Sequence, residues 1–193
     1  MQSLTTQILT TRDELAMLRA RWLDLLARRP APSPFAGPAW FEGYLDHKLD
    51  ADSFWLVVVA WRGTEVVGVL PLVPCEDRAR TLRVPGEYFT HDGPPVLLPG
   101  SECEVLRRLA AAAFATHPDI IRIAIAGLRE GTALCEELRH LPRGVMRRDG
   151  EGARIVVDGT IDELHGRIGK NMWRNLRKAS NRIARECGGD CLL

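Results

Sequence analysis

Four titratable side chains crowd one short segment, "EYFTHDGPPV": Glu87, Tyr88, His91 and Asp92. Carboxylates, an imidazole and a phenol so close together are groups from which general acid–base catalysis is assembled. Asp92, Tyr88 and His91 are therefore the catalytic candidates of this sequence. Asp92 also stands before Gly93-Pro94-Pro95, where an aspartate side chain commonly caps a turn. The plainer reading is a turn whose polar residues face solvent.

A second pattern lies near the end of the chain. Arg167, Lys170, Arg174, Arg177, Lys178, Arg182 and Arg185 form one stripe at helical spacing, with no acid between Arg167 and Arg185. Ile161, Leu164, Ile168, Met172, Leu176, Ala179 and Ile183 form another, recurring every three or four residues. The apolar stripe asks to be buried; the basic one must face solvent or an anion. A solvated surface helix accounts for the cations, since like charges four residues apart repel by only a few tenths of a kcal/mol. Phosphate contact or docking on an acidic partner accounts for them too.

Other chemistries find no foothold. There is no phosphate-binding G-x-x-x-x-G-K-[ST], no G-x-G-x-x-G, no H-E-x-x-H and no G-x-S-x-G. The five cysteines, at 75, 103, 135, 187 and 191, are odd in number and widely spaced, so they make no disulfide framework. Cys187 and Cys191 stand alone as C-x3-C without a nearby histidine, so no metal site is expected.

The elements that must position these residues can be read from periodicity. "LTTQILT" reads as a strand. "TRDELAMLRARWLDLLARR" reads as a helix, with Thr11 as N-cap and Glu14 completing a capping box. Its face is Leu15, Leu18, Trp22, Leu25 and Leu26, and Pro30, Pro32 and Pro34 forbid continuation. "PAWFEGYLDHK" is a short helix with Pro38 in its first turn; Trp40 and Phe41 within it read first as core. A hairpin follows, from Phe54 to Trp61 and from Val66 to Val73, turning at Gly63. Gly68 suggests a bulge, and Pro71 an edge strand or, less simply, a splayed one. "RTLRVPG" makes a third strand, and residues 87–100 a loop. "CEVLRRLAAAAFATH" is a helix, "IIRIAIAGL" a buried strand, "GTALCEELRHL" a short helix, and "GVMRRDGEGARIVVDG" two short strands. The last helix runs in two pieces, opened by Thr160 and Glu163. This order predicts a single domain of the α/β (α+β) class, ending in a long basic amphipathic helix.

An apolar fraction of 46% supports an ordinary core, and a net charge of +1 confines any electrostatic function to local clusters. No run approaches the roughly 18 consecutive apolar residues of a membrane span. The N-terminus lacks a basic start followed by an apolar block. A cytoplasmic protein without a membrane partner is expected.

The ordered pieces "RWLDLLAR", "SPFAGPAWFEGYL", "WRGTEVVGVLPLV", "LRVPGEYFTHDGPPVL" and "GKNMWRNLRKASNRIAREC" resemble a known family. It is the N-terminal half of the acetyltransferases linked to cellulose biosynthesis, a branch of the GNAT (Gcn5-related N-acetyltransferase) superfamily. That family is built from tandem GNAT domains in the manner of the FemAB peptidyltransferases. Ser33, Pro34, Phe35 and Trp40 match its "PF…W" segment; Gly68, Pro71 and Leu72 match its "vG..PL" strand. Asp92, Gly93 and Pro94 match the loop that follows, and Lys170, Arg174, Asn175, Leu176 and Arg177 match its "K..R.nLRr" helix.

The resemblance implies a GNAT-like domain, a mixed sheet flanked by helices, over 1–158. Residues 159–193 are then a linking helix and the start of a second, missing domain. The implied activity is acyl transfer from acyl-CoA to an amine of a small molecule or saccharide, with this portion inactive alone. Trp40, Asp92, Lys170, Arg174 and Arg177 are the implied substrate-binding residues. The family's pyrophosphate loop, [QR]-x-x-G-x-[GA], is not found: "RGTEVVG", "RIGKNM" and "RECGGD" fail the spacing. No cofactor is therefore expected on this chain itself. Two other readings stay open. One is a non-catalytic module that binds RNA or an acidic partner through the last helix, nucleic acid being the less expected. The other is self-association through that helix's apolar face.

Overall fold

The computed structural model describes residues 3–30, 33–76, 78–86, 95–126, 135–136, 138, 163, 166 and 169–187. Strand β1 (Leu4–Leu9) leads into helix α1 (Arg12–Ala27), a 3-10 turn (Pro34–Ala36) and helix α2 (Pro38–His47). Strands β2 (Leu56–Arg62), β3 (Glu65–Pro74), β4 (Thr81–Arg83) and β5 (Val96–Leu97) follow. Helix α3 (Glu102–Thr116), strand β6 (Arg122–Ala124) and helix α4 (Lys170–Cys187) complete the described elements. The chain divides into two compact units, Met1–Met146 and Arg147–Leu193.

Helix α1 starts where the capping chemistry requires. The Thr11 hydroxyl accepts the Glu14 N–H, and the Glu14 carboxylate accepts from the Thr10 and Thr11 N–H groups. That ring satisfies donors no helical carbonyl can reach. The helix then buries Leu15, Leu18, Trp22, Leu25 and Leu26. Trp22 is completely buried, and its indole N–H donates to the Ala36 carbonyl at 2.9 Å, tying α1 to the 3-10 turn. Pro38 opens α2 at a position where its missing N–H has no partner to lose.

Within the first unit the sheet runs β1-β2-β3-β4-β6, with β5 also paired to β3. All pairings are antiparallel except β4 with β6, which is parallel. The β2–β3 hairpin closes through Gly63 and Thr64 between paired Arg62 and Glu65, and Gly63 takes a positive φ of 63°. One sheet face carries Val57, Val59, Val69, Val73 and Val96 against α1 and α2. The other carries Leu56, Val58, Leu70, Leu72 and Leu82 against Val105, Leu106 and Leu109 of α3. Burial on both faces is why β2 and β3 read as unbroken apolar runs rather than alternating ones.

Three expectations need correction. Pro71 is not on an edge strand: β3 is interior, paired with β2 on one side and with β5 and β4 on the other. Gly68 does not itself form the bulge. The register shifts between Ala60 and Trp61, and Val67 is the extra residue. Gly68 is needed because a Cβ there would lie 2.3 Å from Val105 Cγ1 and 3.1 Å from Leu109 Cδ1. Strand β6 is not buried. It has three residues with β4 as its neighbour among the described residues, and Ile121 beside it is 62% exposed. The two strands expected around residues 144–159 fall outside the described residues, as does most of the helix expected around Cys135.

Candidate active site

The catalytic candidates Tyr88, His91 and Asp92, with Glu87, lie outside the described residues. The two ends of their segment are described, and both sit on the same edge of β3. Strand β4 ends with Arg83 opposite Val73, and β5 begins with Val96 opposite Val69. The described ends of the segment, Arg83 and Val96, therefore meet β3 about 13 Å apart, four residues along it at roughly 3.3 Å each. Between these points Leu70, Pro71 and Leu72 keep β2 as a partner on one side. On the other side no strand among the described residues pairs with them.

Strand parity explains the proline. Alternate residues present their backbone groups to the same edge of an antiparallel strand. The Val67 carbonyl accepts from the Leu98 N–H at 2.9 Å, and the Cys75 N–H donates to the Thr81 carbonyl at 3.0 Å. Val67, Val69, Pro71, Val73 and Cys75 thus face the β5–β4 edge. Pro71 stands where that edge is interrupted, so its missing N–H breaks no ladder bond. Of the two readings the sequence raised for Pro71, the edge strand is excluded, because β3 is paired on both sides.

Arg83 closes the β4 side of the interruption. Its guanidinium donates to the Gly86 carbonyl at 3.0 Å and to the Tyr44 hydroxyl at 2.6 Å. It also lies 5.7 Å from the Tyr44 ring centroid, and Glu76 approaches to 4.0 Å. The root of the loop is thereby fixed to α2. Sequence reasoning passed over Arg83. Its one signal was alternation with buried Leu82, and the partner Tyr44 lies 39 residues away.

Trp40 stands one helical turn before Tyr44, so the two share a face of α2. Its ring meets Phe35 edge-on at 5.1 Å between centroids. Its indole nitrogen is shielded from solvent and has no hydrogen-bond partner among the described residues. Trp61 Nε1 and Arg29 share this condition among the described residues, and leaving such a donor unmade costs about 1–3 kcal/mol. Lys170, Arg174 and Arg177 belong to the second unit, where all three are exposed on α4.

The residues at the start of α3 do not fit the pyrophosphate of acyl-CoA. A helix N-terminus receives such an anion through free N–H groups and its positive dipole end. Here Glu102 and Glu104 place two carboxylates in the first turn, and Arg62, the cation nearby, is paired with Glu104 at 3.5 Å. The Ser101 hydroxyl turns back to donate to the Leu98 carbonyl. Among the described residues no group of three or more His, Cys, Asp or Glu could hold a metal. No described helix is long and apolar enough to cross a membrane.

No protein-family model matches the chain. No curated protein matches it. Solved structures similar to it include an aminoglycoside acetyltransferase from an uncultured soil metagenomic sample, in complex with sisomicin. That match has 11% identity and a TM-score of 0.48, and covers 80% of this chain and 97% of that one. An integron cassette protein from the mobile metagenome of V. cholerae has 12% identity and a TM-score of 0.48, over 86% of this chain and 99% of that one. AAC(6')-Iy in complex with a CoA bisubstrate analog has 16% identity and a TM-score of 0.45, over 78% and 99%. Likeness at this level concerns the arrangement of elements and says nothing of activity.

Proposed function

We propose that the chain is part of a GNAT-type N-acyltransferase that acylates an amine on a small molecule or saccharide, and that it supplies the acceptor side of the site. The observation that carries this reading is the interrupted sheet edge opposite Pro71. The acid–base residues stand in the sequence between the two described ends of that interruption, and Arg83, at one of those ends, donates to the Tyr44 hydroxyl. In this reading the Trp40 indole N–H binds an acceptor oxygen, and Asp92 takes the amine proton, with Tyr88 and His91 beside it in sequence. The transfer forms one C–N bond at the acyl carbon and breaks that carbon's bond to its carrier. In this reading the carrier's phosphates do not bind at the start of α3, where Glu102 and Glu104 stand.

The test compares the 193-residue chain with the longest reading frame that contains it. Both are assayed with acetyl-CoA and amino-sugar acceptors by release of free thiol. The longer product is expected to turn over and the chain alone is not. Asp92→Asn in the longer product should lower kcat by about 100-fold or more, the usual contribution of a general base. A longer product without acyl transfer, or a D92N enzyme of full activity, argues against the reading. The exposed cations of α4 favour a second reading, a surface for an anionic partner.

A further inference from the structure

We infer that α4 is a surface helix for an anionic lipid bilayer, lying along the headgroup layer rather than crossing it. The helix carries six cations, Lys170, Arg174, Arg177, Lys178, Arg182 and Arg185, against one acid, Glu186. The whole chain is net +1, so everything outside α4 is net −4. An anionic surface therefore repels the remainder of the protein and attracts this one element.

Charge alone is not the whole pattern. Met172 and Ala179, two members of the apolar stripe, are exposed, Met172 at 53%. A purely electrostatic partner such as RNA uses the cations and leaves that stripe in water. A second copy of the chain covers the stripe but leaves the cations, centred on the opposite face at helical spacing, without an anionic partner. A bilayer of anionic lipids satisfies both faces: the stripe enters the acyl boundary and the cations meet the headgroups. Cationic side chains with long apolar stems suit that boundary. The expectation of no membrane partner rested on the lack of a spanning segment, and a helix lying on the surface needs none.

The full chain is sedimented with phosphatidylcholine vesicles, with and without about 30% phosphatidylglycerol, at roughly 0.1 M salt, where charges are screened beyond about 10 Å. Binding is expected to the anionic vesicles alone. The triple variant R174Q/R177Q/K178Q should weaken it by about 100-fold, some fivefold per charge removed. R174K/R177K keeps the charge and should keep the binding. Met172→Gln alters no charge and should weaken binding by about tenfold through lost apolar insertion. These positions are exposed, so none of the substitutions touches a packed core. No binding to the anionic vesicles, or equal binding to neutral ones, overturns the inference. It is also overturned if M172Q binds like the parent chain while oligouridylate is retained more tightly than lipid, because the partner is then a polyanion read by charge alone.

Discussion

Two tryptophans in the same layer are held on opposite terms, and they predict opposite responses to one substitution. Trp22 is completely buried and donates to the Ala36 carbonyl. Trp22→Phe loses that bond, leaves the carbonyl unpaired and opens a void, so it should cost about 2–4 kcal/mol in urea unfolding. Trp40 has a shielded N–H with no partner among the described residues. Trp40→Phe removes an unmet donor and should change stability by less than about 1 kcal/mol. If Trp40 is an acceptor contact, the loss appears instead in KM for the amine. Glu14 supplies a pH-dependent counterpart. Its carboxyl is held below the ordinary 4.5 by the Thr10 N–H, then by the Thr11 hydroxyl and N–H. A carboxyl depressed by folding stabilises the fold above its unfolded value and ceases to do so as pH falls through the folded one. The advantage of the wild type over E14Q should be full above pH 4.5 and close below it, as followed by thermal unfolding across pH.

At the scale of elements, the tightest constraint is the crossing of β3 by α3. A Cβ at position 68 would lie 2.3 Å from Val105 Cγ1, so Gly68→Ala should cost about 1–3 kcal/mol through overpacking. Val105→Ala makes room, and the double variant should be more stable than the sum of the two single losses predicts, by chemical denaturation. The same crossing shows what could be read from sequence and what could not. Helix α1 was legible to its cap, because Thr11, Glu14 and the five buried apolar residues are local signals. Gly68 was legible as unusual, but its reason is a side chain on a helix more than thirty residues later in the chain. Strand β5 went unread because only Val96 and Leu97 pair, between prolines at 95 and 99. Pro71 could be read as an edge or a splay. Only the pairing of β3 on both sides excludes the edge. The acid–base segment was a candidate by composition and lies outside the described residues, whereas Arg83 depended on a partner in α2.

At the scale of the whole molecule, a net charge of +1 conceals a segregation that bears on where an acyl carrier can bind. The positive charge is concentrated on α4 in the second unit, and the start of α3 in the first unit is acidic. Glu102 and Glu104 already oppose the positive end of the α3 dipole, and a pyrophosphate there would meet two carboxylates before reaching any N–H. The expected result in calorimetry is no binding of acetyl-CoA at micromolar concentrations. The carboxylates can be separated from the loop geometry by titrating inorganic pyrophosphate into Glu102→Gln/Glu104→Gln. Removing two negative charges from a helix N-terminus should allow weak, roughly millimolar binding that the wild type lacks. Micromolar acetyl-CoA binding by the wild type, competed by pyrophosphate, would refute that expectation. If pyrophosphate binds neither protein, backbone geometry at Gly100 and Ser101 excludes the anion independently of charge.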